Sequence, residues 1–280
     1  MRKLNLLIAL LIFTINITAQ DVVATKDDID KFFKSKTYVV FDENIFGNYN
    51  SHIKQAVEEQ WTATEFEFID IKQYNKLRGN YKASFIIRTR VNFEKDKSET
   101  DYTFLSLLLG SNKASSMSRM PDLCSFPLSY YNVDYDKYTY KLGAIISFMQ
   151  NHVQLLKNNS NINSKNVLKY YNKNKSELAG KTLYVIEDEL ANDCNTLSKI
   201  KNFYSGKVVI TTQEEINKII SSKDKDAVFL HKVGPSSENQ KMRIYKLILG
   251  TDGKLYYFDY HKYNKEKAPD AFLSKDFKSL

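Results

Sequence analysis

Apolar and polar positions along this chain fall into blocks, and the blocks repeat. Lys36-Thr37-Tyr38-Val39-Val40-Phe41-Asp42-Glu43 is an apolar run closed by two acids. Lys181-Thr182-Leu183-Tyr184-Val185-Ile186-Glu187-Asp188, 145 residues further on, has the same form. An amphipathic helix pattern follows each run: Ile53, Ala56, Val57 and Trp61 after the first, Leu197, Ile200, Phe203 and Tyr204 after the second. Phe66-Glu67-Phe68-Ile69 then matches Val208-Val209-Ile210 at a shift of 142, and Tyr74-Asn75-Lys76 matches Ile216-Asn217-Lys218 at the same shift. Ala83-Ser84-Phe85-Ile86 matches Ala227-Val228-Phe229-Leu230 at 144, and the run 104–110 matches 244–250 at 140. Six matches in one order, drifting by a few residues, predict two diverged copies of one unit.

The elements within each copy follow from period and punctuation. Thr25 with Asp28 forms a capping box before a short helix carrying Ile29, Phe32 and Phe33. Tyr38–Phe41 is a continuous apolar run, which predicts a strand buried on both faces. Strands are predicted at 65–71, 84–93, 102–109 and around 123–131, with Pro127 marking an edge. A short helix at 73–77 stops at Gly79, and Glu94–Glu99 is a charged hairpin turn. Leu142, Ile145, Ile146, Met149, Val153 and Leu156 make the clearest helical stripe, placed to pack on the first sheet. A more polar helix is predicted at 165–178. In the second copy Thr251-Asp252-Gly253 signals a hairpin turn. Pro269 at a first helical turn predicts a last helix over 268–277. Each unit then follows β-α-β-α-β-β-β-α, an α/β fold with a mixed sheet. The chain divides into a signal peptide at 1–20, a first unit at 21–160, a linker helix at 161–180 and a second unit at 181–280.

Composition changes this picture little. Of 280 residues 42% are apolar, with 9 Gly and 4 Pro, which suits packed cores rather than disorder. Arg2 and Lys3, the uncharged run Leu6–Phe13 and the exit Thr18-Ala19-Gln20 have the form of a secretory signal peptide. No later apolar run reaches about 18 residues, so no membrane span is expected once the signal is removed. Without Arg2 and Lys3 the chain carries 39 basic and 33 acidic residues, a net +6. The lysines are interleaved with acids, and no stripe of arginine with aromatics points to nucleic acid. Cys124 and Cys194 are the only cysteines. Export permits a disulfide between them, and two separate buried thiols fit the sequence equally.

The opening strand with its acidic exit, Val39-Val40-Phe41-Asp42, and the later run Ala83-Ser84-Phe85-Ile86 resemble the small α/β domain at the N-terminus of TolB and in CsgG-type and LpoB-type bacterial envelope proteins. Tyr138-Thr139-Tyr140-Lys141-Leu142-Gly143, Phe148–Val153 and Met120-Pro121-Asp122-Leu123-Cys124 are similar to a set of uncharacterised exported proteins of Bacteroidetes. The first resemblance implies a fold, the second an envelope location, periplasmic or secreted.

Candidate chemistry is sparse. Asp42 and Glu43, and Glu187, Asp188 and Glu189, stand at strand exits, where open α/β sheets form ligand crevices. Paired carboxylates there can hold a cation or transfer protons. His52, His152, His231 and His261 show no ligand spacing, and neither a nucleophile elbow nor a phosphate-cradling glycine loop occurs. No cofactor or metal is implied. Tyr130, Tyr131, Tyr135, Tyr138 and Tyr140, with Tyr256, Tyr257, Tyr260 and Tyr263 in the matching place, are candidates for a partner surface. The reading is a non-enzymatic exported protein that binds or scaffolds another envelope component, or itself in a homo-oligomer. The alternative is a hydrolase or metal-dependent enzyme using the strand-exit acids between the units.

Overall fold

The computed structural model describes residues 22–44, 47–93, 101–163, 165–234 and 242–280. The segment read as a signal peptide and the charged turn 94–99 lie outside these residues.

The first unit runs β1 (Val22–Val23), α1 (Lys26–Phe32), β2 (Lys36–Val40), α2 (Tyr49–Gln60), β3 (Phe66–Ile69), α3 (Ile71–Leu77), β4 (Ala83–Asn92), β5 (Asp101–Leu109), β6 (Pro121–Tyr130) and α4 (Leu142–Asn158). Its sheet has the order β1-β6-β5-β4-β2-β3. The second unit follows α5 (Val167–Tyr171) and runs β7 (Thr182–Ile186), α6 (Leu197–Ile200), β8 (Lys207–Thr211), α7 (Gln213–Ser222), β9 (Ala227–Val233), β10 (Arg243–Gly250), β11 (Leu255–Lys262) and α8 (Ser274–Ser279). Its sheet order is β11-β10-β9-β7-β8. With the two-residue β1 set aside, the two sheets have the same order. Both follow β-α-β-α-β-β-β-α, with β2 and β7 parallel to their neighbours and the later strands antiparallel. The fold is α/β with two mixed sheets, and matching topology in both halves is what a tandem duplication produces.

Local chemistry explains several elements. Thr25 accepts from the Asp28 amide at 3.2 Å while Asp28 accepts from the Thr25 amide at 2.9 Å, so α1 starts at its capping box. Asp70 and Gln73 do the same for α3. Pro127 costs no ladder bond, because β6 pairs with β1 only at Pro121 and Asp122.

The helices fix how the two copies correspond. α2 packs on the face holding Val39 and Ile86, and Tyr74 of α3 packs on the opposite face, over Val40 and Phe85. In the second unit Ile200 of α6 lies with Val185 and Leu230, and α7 lies on the other face with Phe229. Val39 therefore matches Val185 at 146, and Ile86 matches Leu230 at 144. Phe66 matches Val208 at 142, and Leu107 matches Ile248 at 141. The shifts of 142 and 144 read from sequence hold. Those of 145 and 140 are each one residue short, enough to exchange the two faces of a strand. The one-residue shift covers all of β7: Thr182 faces Ala227 as Lys36 faces Ala83, and Leu183 faces Val208 as Thr37 faces Phe66. In the same register Tyr184-Val185-Ile186, Asp188 and Glu189 fall on Tyr38-Val39-Val40, Asp42 and Glu43.

The units share one core, in which the α2–α4 face of the first meets the α7 face of the second. His231 Nε2 lies 2.7 Å from the Pro127 carbonyl, and the His231 ring lies 5.2 Å from that of Phe126. The Tyr102 hydroxyl donates to the Arg243 carbonyl and accepts from the Arg243 amide. Gly253 ends the β10–β11 turn with φ +76° and lies against α4, where a Cβ would overlap the Phe148 and Ser147 backbone.

Two predicted helices are shorter than expected. Only Val167–Tyr171 of 165–178 is α-helical; Asn172–Leu178 continues as 3-10 turns along β11. Asn172 donates to the Phe258 carbonyl and accepts from the Phe258 amide, a backbone-like pairing that covers an open sheet edge. The last helix begins at Ser274, not near Pro269, because Asp276 caps the Leu273 amide at 2.8 Å. Cys124 and Cys194 are both free and lie in different core clusters. Among the described residues no helix is long and apolar enough to cross a membrane.

Candidate functional site

Asp42 lies two residues beyond β2 and faces the later part of β4. Its carboxylate is 2.5 Å from Arg88 Nη1 and accepts from the Asn44 amide at 2.9 Å. Asn50 of α2 clamps the Asp42 backbone from both sides, accepting from its amide and donating to its carbonyl. The Arg88 guanidinium stacks 4.7 Å from the Tyr49 ring and 4.8 Å from the Tyr135 ring. Burial works against the Arg88 charge, yet Tyr138, Tyr135 and Asp42 hold its pKa above the ordinary value. Burial pushes the Tyr49 hydroxyl far up, so it stays neutral beside the cation.

Beside this pair opens a cleft of about 210 Å³. Val40, Ile71, Ile87 and Met117 give it an apolar lining, and Asp42, Glu43, Arg90 and Tyr131 give it polar groups. Tyr131 is exposed, with the Arg90 guanidinium 4.0 Å from its ring. Arg90 also pairs with Asp101. The structure thus brings Asp42, Glu43, Tyr131 and Tyr135 to one place, and adds Arg88 and Tyr49, which sequence reasoning did not select. The alternation Arg88, Thr89, Arg90 was the available signal.

The other residues read as candidates lie elsewhere. Tyr130 is half-buried, edge-on to Tyr102. Tyr256 and Tyr257 are only 3% and 4% exposed and form core rather than a partner surface. Their alternation places both against the second unit's own elements, Tyr257 beside Phe272 with its hydroxyl 3.3 Å from Asp276. Glu187 and Asp188 are exposed. Glu189 turns inward to lie 3.7 Å from Lys141 Nζ, which donates to the Leu230 carbonyl. The position matching Arg88 is Lys232, which pairs with Asp270 at 2.6 Å and not with Asp188. The two copies have therefore diverged at the strand ends. Among the described residues no three His, Cys, Asp or Glu side chains gather as a metal site.

No protein-family model, curated protein or solved structure matches this chain. Fold and geometry define its class: a tandem α/β protein with a cleft beside Asp42 at the strand ends of its first unit.

Proposed function

We propose that the chain is an exported protein that binds another component of the cell envelope, and that the cleft beside Asp42 and Arg88 receives one or two side chains of that partner. The observation that carries this reading is the pairing of a committed charge with a small apolar hollow. Asp42 is held by Arg88 and by the Asn44 amide, which fixes it as an orienting group. At about 210 Å³ the cleft is smaller than the roughly 300–1,000 Å³ that enclose a small-molecule substrate. Arginine and tyrosine at its rim are the residues that carry binding energy in protein interfaces. The signal-peptide form of residues 1–20 and the resemblance to envelope domains supply the location.

A photo-crosslinking residue at position 131, compared with one at exposed position 218 on α7, tests this in the native cells. The expected result is one envelope protein trapped from position 131 and not from 218. Its affinity for the purified chain should fall about tenfold with Arg90→Ala. Equal adducts from both positions, or none from 131, sink the reading.

A further inference from the structure

We propose a second binding site, for a slender apolar chain of the fatty-acyl class, in the half-open cavity between α1, β6, α4 and α5. It does not depend on the Asp42 cleft. The cavity measures about 460 Å³, within the range of roughly 300–1,000 Å³ typical of small-molecule sites. Across Cys124, Ser125, His152, Val167 and Leu168 it adjoins a smaller space of about 140 Å³. Phe148 of α4 and Leu247 and Phe258 of the second sheet wall that inner space. The two spaces together therefore reach from the first unit to the second.

Three observations set the ligand class. The outer walls are mainly apolar, built from Ile29, Leu123, Leu156 and Ile162, with Asp122, Ser125 and Ser160 among them. Val23 and Leu168, two of the few large apolar side chains left exposed, both border the cavity. The polar residues Thr25, Lys26 and Asn163 are exposed at its outer side, where a head group would stay in water. The one ring common to both spaces with polar atoms is His152. Its Nδ1 lies 2.8 Å from the Tyr171 hydroxyl, and burial lowers its pKa to about 4, so it brings no charge to the interior near neutral pH. Asp122 brings a carboxylate to the β1 side of the outer space, and the inner space is lined by no charged side chain, so a hydrocarbon chain can run inward while a buried ion is excluded there.

Titration of the purified protein with dansyl-labelled undecanoic acid tests the proposal. Saturable fluorescence enhancement is expected, weakened roughly tenfold or more by Leu168→Asp, which sets a charge between the two spaces. Leu168 is 41% exposed, so the thermal midpoint of this variant should match the parent. Leu168→Trp, which fills the same place without charge, should also weaken binding. Displacement by laurate identifies a free acid as the source of the chain; displacement only by phosphatidylethanolamine vesicles identifies a lipid-borne chain. Laurate should also slow methanethiosulfonate labelling of Cys124 and leave Cys194 unchanged. No saturable enhancement, or enhancement equal in both Leu168 variants and the parent, overturns the proposal.

Discussion

Lys246 Nζ lies 2.5 Å from Asp276 Oδ1, and neither side chain is more than 2% exposed. Asp276 also caps α8 through the Leu273 amide, so one carboxylate fixes both a strand and the last helix. Lys246 Nζ also lies 3.2 Å from the half-exposed Asp259 carboxylate, which stays when Asp276 is removed. Asp276→Ala should cost about 3 kcal/mol, from the weaker compensation of Lys246 and the lost cap. Urea unfolding of Asp276→Ala, Lys246→Met and the double variant checks this. The double variant should be less destabilised than the two single losses added together; additive losses would show that the charges do not interact.

The Asp42–Arg88 pair is about one-fifth exposed on each side, so solvent screens part of its energy. Arg88→Met should cost about 2 kcal/mol, through the lost pair and the lost stacking on Tyr49 and Tyr135. Arg88→Lys should recover only part of that, since an ammonium stacks and forks less well than a guanidinium. Chemical denaturation of the two variants separates these terms.

Stability should fall in mild acid. His231 is 1% exposed, and burial first, then Lys141, lower its pKa from 6.5 to about 3. Below pH 6.5 the unfolded chain binds a proton that the folded chain refuses. Stability is therefore intact above 6.5 and is lost as pH falls toward 3, at about 1.4 kcal/mol per pH unit for each such histidine. His152, lowered to about 4, adds a second loss of the same sign. Burial lowers His261 as well, a third loss of the same sign. Unfolding measured at about pH 7 and about pH 5 should show the drop, and His231→Gln should remove roughly a third of its slope. An unchanged slope in that variant would mean His231 does not titrate in the window.

Gly253→Ala should destabilise by about 3 kcal/mol, combining a positive φ with the overlap against the α4 backbone. Gly180, at φ +88° with open space around it, isolates the first term: Gly180→Ala should cost about 1 kcal/mol. Thermal midpoints of the two variants check the difference, and equal losses would remove the packing argument.

The topology was legible because it is written in short-range patterns. The Thr25–Asp28 box, the Leu142–Leu156 stripe and the Thr251–Gly253 turn each specify an element from residues within a few positions of one another. The copy-to-copy match failed by one residue along β7 because a five-residue apolar strand looks alike in either register. Only the helices packed on each face resolve it. The cleft was half legible. Asp42 and Glu43 were marked by standing at a strand exit, whereas the Arg88 cage joins Tyr49 on α2, Arg88 on β4 and Tyr135 after β6. No local spacing records a meeting of that kind. Tyr256 and Tyr257 were misassigned to a surface because tyrosine suits a core and a partner equally, and the elements that bury them, Lys175–Leu178 and the 272–277 turn, come from distant parts of the chain.

The front-to-back meeting of the two units has a consequence for how such a molecule ends. The surface that the first unit gives is not the surface that the second unit gives in return, so no two-fold axis relates them. Separate copies associating through this contact would each retain one unused surface and would go on adding further copies rather than close into a pair. Joining two units in one chain, and letting each outer face acquire its own covering in α3 and α8, sets the count at two.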